Sequence, residues 1–217
     1  MIAIKRDSGF SLVELMVLSG ILLCLAALSW PALQKSYAAA QNTRCSTNLR
    51  VLGGASLLYA ADNGMILPAT SHLAPDGSES WTNTLQPYAS GPVTFKCPVD
   101  ENRARSRTYV MNDFLTKNPH PAPFLDFSSL LNISRQMETV LYVEAAGFTG
   151  VTSDHFHFSE YFQTEIPAAD FAKLVGVKRH AGRANYLFVD AHVETLSWEQ
   201  VKARLAQFSD RFIDPTR

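Results

Sequence analysis

The chain has 217 residues, 47% of them apolar, with a formal net charge of −1 and a pI near 6.6. Acidic and basic residues nearly balance and no basic run is present, which excludes an electrostatic grip on nucleic-acid phosphates. No internal repeat or low-complexity tract interrupts it, and the residues after position 62 are numerous enough to bury a core of their own.

The first thirty residues hold Lys5 and Arg6, then Gly9 and Phe10, then an apolar run from Phe10 to Leu28 whose single charge is Glu14. That run is close to the length of about 20 residues that crosses a bilayer. A carboxylate inside it costs about 2.5–3.5 kcal/mol at the bilayer centre, so a function is expected of Glu14. Lys5 and Arg6 favour a cytoplasmic N-terminus with the rest of the chain exported. An ordinary secretory signal would have a shorter apolar core and a small-residue cleavage site, which Ala26-Ala27-Leu28 and Ala38-Ala39-Ala40 imitate. An uncleaved anchor is a further reading.

Neither accounts for a Glu five residues into an apolar run that begins at a Gly-Phe junction. Gly9-Phe10-Ser11-Leu12-Val13-Glu14 resembles the processing site of type IV prepilins and of type II secretion pseudopilins. The resemblance implies a leader over 1–9, cleavage after Gly9 by a prepilin peptidase and methylation of the new amino group of Phe10. It also implies a transmembrane assembly helix over 10–30, in which the Glu14 carboxylate meets the N-terminal amine of a neighbouring subunit. The implied partners are that peptidase, other pilin-like subunits in a homo- or hetero-filament, and an inner-membrane assembly platform. The implied location is the bacterial inner membrane, crossed once, with the C-terminal domain in the periplasm.

Pro31 follows the apolar run. Proline removes one backbone hydrogen bond and crowds the preceding turn, so a kink or a melted turn is expected there, unless Pro31 simply marks the membrane boundary. Beyond it Cys45, Leu49, Leu52 and Tyr59 recur at helical spacing, with Arg44, Asn48 and Arg50 on other faces. This amphipathic half, 31–62, is expected to end at Ala61-Asp62-Asn63-Gly64, where Asn and Gly supply a C-cap. Cys24 lies inside the apolar run and reads as a small buried apolar residue. Cys45 and Cys97 fall on the exported side, where an oxidising compartment permits a disulfide; two separate buried thiols are the other reading.

The head, 63–217, opens with a loop-rich stretch marked by Leu67-Pro68, Pro75-Asp76-Gly77, Gly91-Pro92 and Pro119-His120-Pro121. Within it a short helix is expected over Trp81–Tyr88 and a strand or turn over Val93–Cys97. Strands are expected at Arg107–Asn112 and Thr139–Glu144, and a helical turn at Ser128–Ile133. Asn185–Val189 and His192–Leu196 read as two strands joined by a tight turn at Asp190-Ala191. Ser197 caps a last helix with Val201, Leu205 and Phe208 along one face. The expected fold is α+β and pilin-like, a long N-terminal helix packed on a small antiparallel sheet with a loop-rich head.

His180, nine intervening residues and Asp190 resemble the H-x9-D-G signature of pilin-like proteins of planctomycete and verrucomicrobial type. Arg179, Gly182, Asn185, Phe188, His192, Glu194 and Trp198 extend that likeness, as do Asn48-Leu49, Asp62-Asn63-Gly64, Phe95-Lys96-Cys97-Pro98 and Met111-Asn112. Ala191 departs from it, because the family has Gly there. A type I′ turn needs positive φ at both central residues, so another turn geometry or some strain is expected.

His180, Asp190 and His192 have the chemistry of a metal site, and His155 and His157 form a second His-x-His. Asp100, Asp154 and Asp190 offer oxygens to calcium, but no closely spaced acidic loop supports it. Each residue also has an ordinary role, His180 tying a loop to backbone, Asp190 serving the turn and His192 sitting at a strand edge. No metal or cofactor is therefore expected. A hydrolase built on His180, Asp190 and Ser197 has no Gly-x-Ser-x-Gly, P-loop or His-Glu-x-x-His motif behind it. Trp81, Tyr88, Phe156, Phe158, Tyr161 and Phe162 are either a partner surface or core, and Ser153–Gln163 is the candidate contact loop. The expected role is a non-enzymatic pseudopilin or minor pilin; the alternative is a permanently membrane-anchored periplasmic binding or hydrolytic protein.

Overall fold

A computed structural model describes residues 10–71, 80–89, 94–117, 125–147, 153–158, 161 and 164–217. The leader with Gly9, the Pro75-Asp76-Gly77, Gly91-Pro92 and Pro119-His120-Pro121 breakers, and Phe162 lie outside the described residues. The chain divides after Ala40 into two units.

Helix α1 runs from Leu12 to Asp62. In the first unit every described side chain is exposed, and by length and composition this stretch of helix can cross a membrane. The chain stays helical on both sides of Pro31, so the melted turn expected there does not form. A proline at this point loses one hydrogen bond, which the bonds of neighbouring turns outweigh in an otherwise strong helical sequence.

In the second unit the continuation of α1 buries Cys45, Leu49, Leu52, Ala55, Ser56 and Ala60, which recur every three or four residues on one face. The helix ends as its local chemistry dictates. Gly64 takes the left-handed conformation (φ 65°), and Met65 N–H donates to Ala60 O at 2.7 Å, the closing bond of a Schellman cap.

The sheet that α1 covers has five strands: β1 (Tyr109–Asn112), β2 (Val140–Glu144), β3 (His155–Phe156), β4 (Arg183–Phe188) and β5 (Val193–Ser197), in the order β3-β1-β2-β4-β5. Three pairings are antiparallel, but β3 runs parallel to β1, so the sheet is mixed rather than antiparallel. Alternation along the strands makes two cores. Tyr109, Met111, Tyr142 and Leu187 pack with α1, while Val110, Val143, Tyr186 and Phe188 face the other way. An irregularity between Val140 and Tyr142 lets Leu141 and Tyr142 both join the α1 side. The far core is closed by α3 (Ala168–Leu174), α4 (Trp198–Leu205) and the buried tail residues Phe212 and Ile213.

Several local expectations need adjustment. Trp81–Tyr88 splits into helix α2 (Trp81–Thr84) and a 3-10 turn (Gln86–Tyr88). The described part of Val93–Cys97 forms no strand. Ser197 does cap α4, in a reciprocal capping box with Gln200, and Val201 and Leu205 are buried, but Phe208 lies past the helix end and is 64% exposed. Trp81, Phe156 and Phe158 are core, not surface.

The β4–β5 hairpin has a three-residue loop. Ala191 N–H donates to Phe188 O and Phe188 N–H to His192 O, both at 2.9 Å, and of the loop only Ala191 has positive φ (70°). This is the arrangement in which a tight turn is followed by a left-handed residue, where Ala costs about 1–2 kcal/mol. The type I′ turn lies instead at Ala181-Gly182, both with positive φ, between His180 and Arg183, which exchange backbone bonds.

Gly53 of α1 meets this hairpin: a Cβ there would lie 2.9 Å from Leu187 Cδ1 and 3.2 Å from Ala191 Cα. The adjacent Gly54 has nothing within 4 Å of such a Cβ. Alanine substitution of these neighbours should therefore have opposite signs. Gly54→Ala gains up to about 1 kcal/mol from helix propensity. Gly53→Ala loses about 1–3 kcal/mol because overpacking outweighs that gain. Thermal melts of the full chain in detergent, followed by near-UV circular dichroism, check both; a rise in Tm for Gly53→Ala would refute the close approach.

Candidate functional site

At the N-terminus Phe10 is 75% exposed and precedes the first turn of α1. Glu14 Oε2 accepts the Ser11 N–H at 2.9 Å, and Ser11 Oγ accepts the Val13 N–H at 3.2 Å, so two otherwise unpaired amides of the helix start are met by side chains. Exposed apolar side chains flank this carboxylate along the helix, among them Leu12, Val13, Leu15, Met16 and Val17. Free Cys24 is exposed on the same helix rather than buried as expected, because no described side chain packs against this stretch. Such a surface is one that lipid or other apolar helices satisfy.

In the head, the chemistry gathers beneath α1 at the end of β2. Cys45 of α1 is disulfide-bonded to Cys97, closing a loop of sequence separation 52. Glu144, last residue of the central strand β2 and paired with Tyr109 of β1, is fully buried beside them. His180 Nε2 lies 2.9 Å from Glu144 Oε1 and 3.7 Å from Cys97 Sγ. One ligand atom from each of Cys45, Cys97, Glu144 and His180 falls within 4.8 Å of all the others. Among the described residues Glu144 Oε2 has no hydrogen-bond partner, and Arg179 Nε lies 3.8 Å from it.

Arg179 also pairs with Asp100, Nη1 to Oδ1 at 3.2 Å, and Arg105 approaches the other oxygen at 3.6 Å. Burial alone would raise the Asp100 pKa. Its bond from Thr108, the two guanidinium groups and the Asn102 N–H outweigh that and hold the carboxyl below its usual range. Burial first, and then the Glu144 charge, push the Tyr109 and Tyr186 phenols far up.

The sequence motif does not form one site. His180 precedes β4 and Asp190 follows it, so about 16 Å of extended strand separates them. Asp190 Oδ1 is bonded to His192 Nδ1 at 2.5 Å and accepts the His192 N–H at 3.2 Å, while the His192 ring stacks on Phe188 at 4.3 Å. His180 is therefore grouped with two cysteines and a glutamate, and Asp190 and His192 shape the hairpin. Ser197 caps α4, its hydroxyl bonded to Gln200. Asp100, Asp154 and Asp190 each have their own partners and are not brought together. Sequence reasoning missed Glu144 as a site residue. Its one signal is an acid ending the apolar run Val140–Val143, where a strand buried on both faces has no solvent for a carboxylate.

A second polar cluster surrounds Asp154. Its carboxylate accepts bonds from Ser71 N–H and Oγ at 2.8 Å, from Ser80 Oγ at 2.5 Å and from His155 Nδ1 at 2.6 Å. Its backbone carbonyl accepts the Trp81 Nε1–H at 2.8 Å and the Met111 N–H at 2.9 Å. His155 and His157 approach through their Nε2 atoms at 3.0 Å. The described start of the expected contact loop is thus sewn to α2 and β1.

Burial opposes ionisation of Asp154, but the bonds from His155, Ser80 and Ser71 and the His155 charge prevail, holding the carboxyl well below the usual range. A depressed carboxylate stabilises the fold above the ordinary Asp value of about 3.9, and that contribution drains away as pH falls below it. Asp154→Asn should cost about 2–4 kcal/mol at pH 7, the worth of bonds to a charged acceptor. The gap from wild type should narrow at pH 3, as read by thermal melts at the two values.

Compared with family models, curated proteins and solved structures, the chain matches none of them.

Proposed function

We propose that the chain is a non-enzymatic structural subunit, a pseudopilin or minor pilin, of a type II secretion or type IV pilus-like filament. It is cleaved after Gly9 by a prepilin peptidase, N-methylated at Phe10, and carried in the bacterial inner membrane with its head in the periplasm. The observation that supports this most is Glu14, the one charge in the exposed apolar run Phe10–Leu28 and four residues from the Phe10 that cleavage would make the N-terminus.

The chemistry of assembly follows from charge in a low-dielectric medium. Cleavage gives Phe10 a positive amine, and Glu14 of a neighbouring subunit supplies the matching carboxylate. A mispaired helix leaves a charge alone in lipid, at about 2.5–3.5 kcal/mol for a carboxylate near the centre, so the pair selects register. The surrounding Leu, Val and Ile side chains supply packing between helices. An inner-membrane platform would gather such subunits.

Intact-mass analysis of protein from peptidase-competent cells should give a chain beginning at Phe10 and one methyl group heavier than the bare sequence. A chain retaining Met1–Gly9 would overturn the reading and leave a permanent anchor. Glu14→Ala should leave the near-UV spectrum of the head unchanged and abolish incorporation into filaments scored by co-purification; normal incorporation would remove the assigned role.

A further inference from the structure

We infer that the reduced chain binds a single zinc ion through Cys45 Sγ, Cys97 Sγ, His180 Nε2 and Glu144 Oε1, and that closing the Cys45–Cys97 disulfide expels it. The four donors come from α1, the loop before β1, the end of β2 and the turn before β4, and all four residues are buried. Two thiolates, an imidazole and a carboxylate are a donor set suited to tetrahedral zinc.

The donors lie close enough for that geometry after small shifts. Zinc bonds of about 2.3 Å to sulfur and about 2.0 Å to nitrogen or oxygen place tetrahedral donors about 3.3–3.8 Å apart. His180 Nε2 is already 3.7 Å from Cys97 Sγ, while its 2.9 Å contact with Glu144 Oε1 is a hydrogen bond that opens by about 0.4 Å when an ion replaces the proton. Sulfurs joined to each other are too close to share one ion; once the bond is cleaved they can spread to their tetrahedral separation.

Charge agrees as well. Two thiolates, one carboxylate and a divalent ion sum to −1, and Arg179, 3.8 Å from Glu144 Oε2, supplies the balancing positive charge. Among the described residues Glu144 Oε2 accepts no hydrogen bond, and a buried acceptor left unmet is costly in a site with no further role.

The reaction balances. A dithiol reductant delivers two electrons and two protons to the disulfide, becoming a disulfide itself and leaving two thiols on the chain. Zinc then displaces both thiol protons. In reverse, the two zinc-bound thiolates give two electrons to a small-molecule disulfide, which takes up two protons and leaves as two thiols. The protein disulfide forms and the ion is released. Nothing in this exchange involves Gly9, Phe10 or Glu14, so it stands or falls independently of filament assembly.

The test uses the full chain in detergent. Reduced with a phosphine under nitrogen, given zinc chloride and desalted, it should retain about one zinc ion per chain by elemental analysis; an oxidised sample treated alike should retain almost none. Cobalt(II) in place of zinc should give the intense visible bands of a tetrahedral site together with thiolate charge transfer. Zinc should raise the Tm of the reduced chain and leave that of the oxidised chain unchanged. His180→Ala and Glu144→Gln should each weaken zinc binding by at least about tenfold. Equal zinc retention by both redox forms, an octahedral cobalt spectrum in wild type, or variants that bind as tightly as wild type would overturn the site. The wild-type cobalt spectrum decides the matter even if a variant fails to fold.

Discussion

Much of the head depends on one constraint, the burial of a single face of α1 against the middle of a short-stranded sheet. Cys45, Leu49, Leu52, Ala55 and Ala60 provide that face, and Tyr109, Met111, Tyr142 and Leu187 receive it. Strands of two to six residues offer little independent stability. The helix covers the sheet across β1, β2 and β4, and Gly53 allows it to approach the β4–β5 hairpin without a side chain between them. The same cover buries Glu144, whose partners His180 and Arg179 come from the turn before β4.

What could be read from the residues was what local chemistry decides. The exit of α1 at Asn63-Gly64, the capping of α4 by Ser197 and the pairing of β4 with β5 follow from short-range signals, a left-handed glycine, a capping side chain and alternation. Elements set by distant partners were not legible. β3 is two residues long and exists by pairing with β1. α3 follows Pro167 with no side-chain cap, and its buried Phe171 has meaning only beside Phe158 and Trp198. Phe208 has the right spacing for the α4 stripe, yet the helix stops before reaching it.

The candidate site divides in the same way. Glu14 stands out in the sequence because any charge in so apolar a run is conspicuous. The His180-to-Asp190 spacing is also visible, but it measures the length of β4, one residue at each end, rather than a shared ligand set. The group that does converge, Cys45, Cys97, Glu144 and His180, is drawn from four separate parts of the chain. Its members become neighbours only through tertiary packing, and spacing along the chain carries no trace of that.

The disulfide also has a mechanical meaning. Cys45 lies just inside the head's own unit, only a turn beyond Ala40. Tension drawn along the backbone from the N-terminal side reaches Cys45 and passes through the sulfur bridge to Cys97. The intervening stretch, including most of the buried face of α1 and all of α2, then carries none of the load. Unravelling would have to begin beyond Cys97, at the threshold of β1. Reduction would hand the load back to the helix and let it peel from the sheet residue by residue.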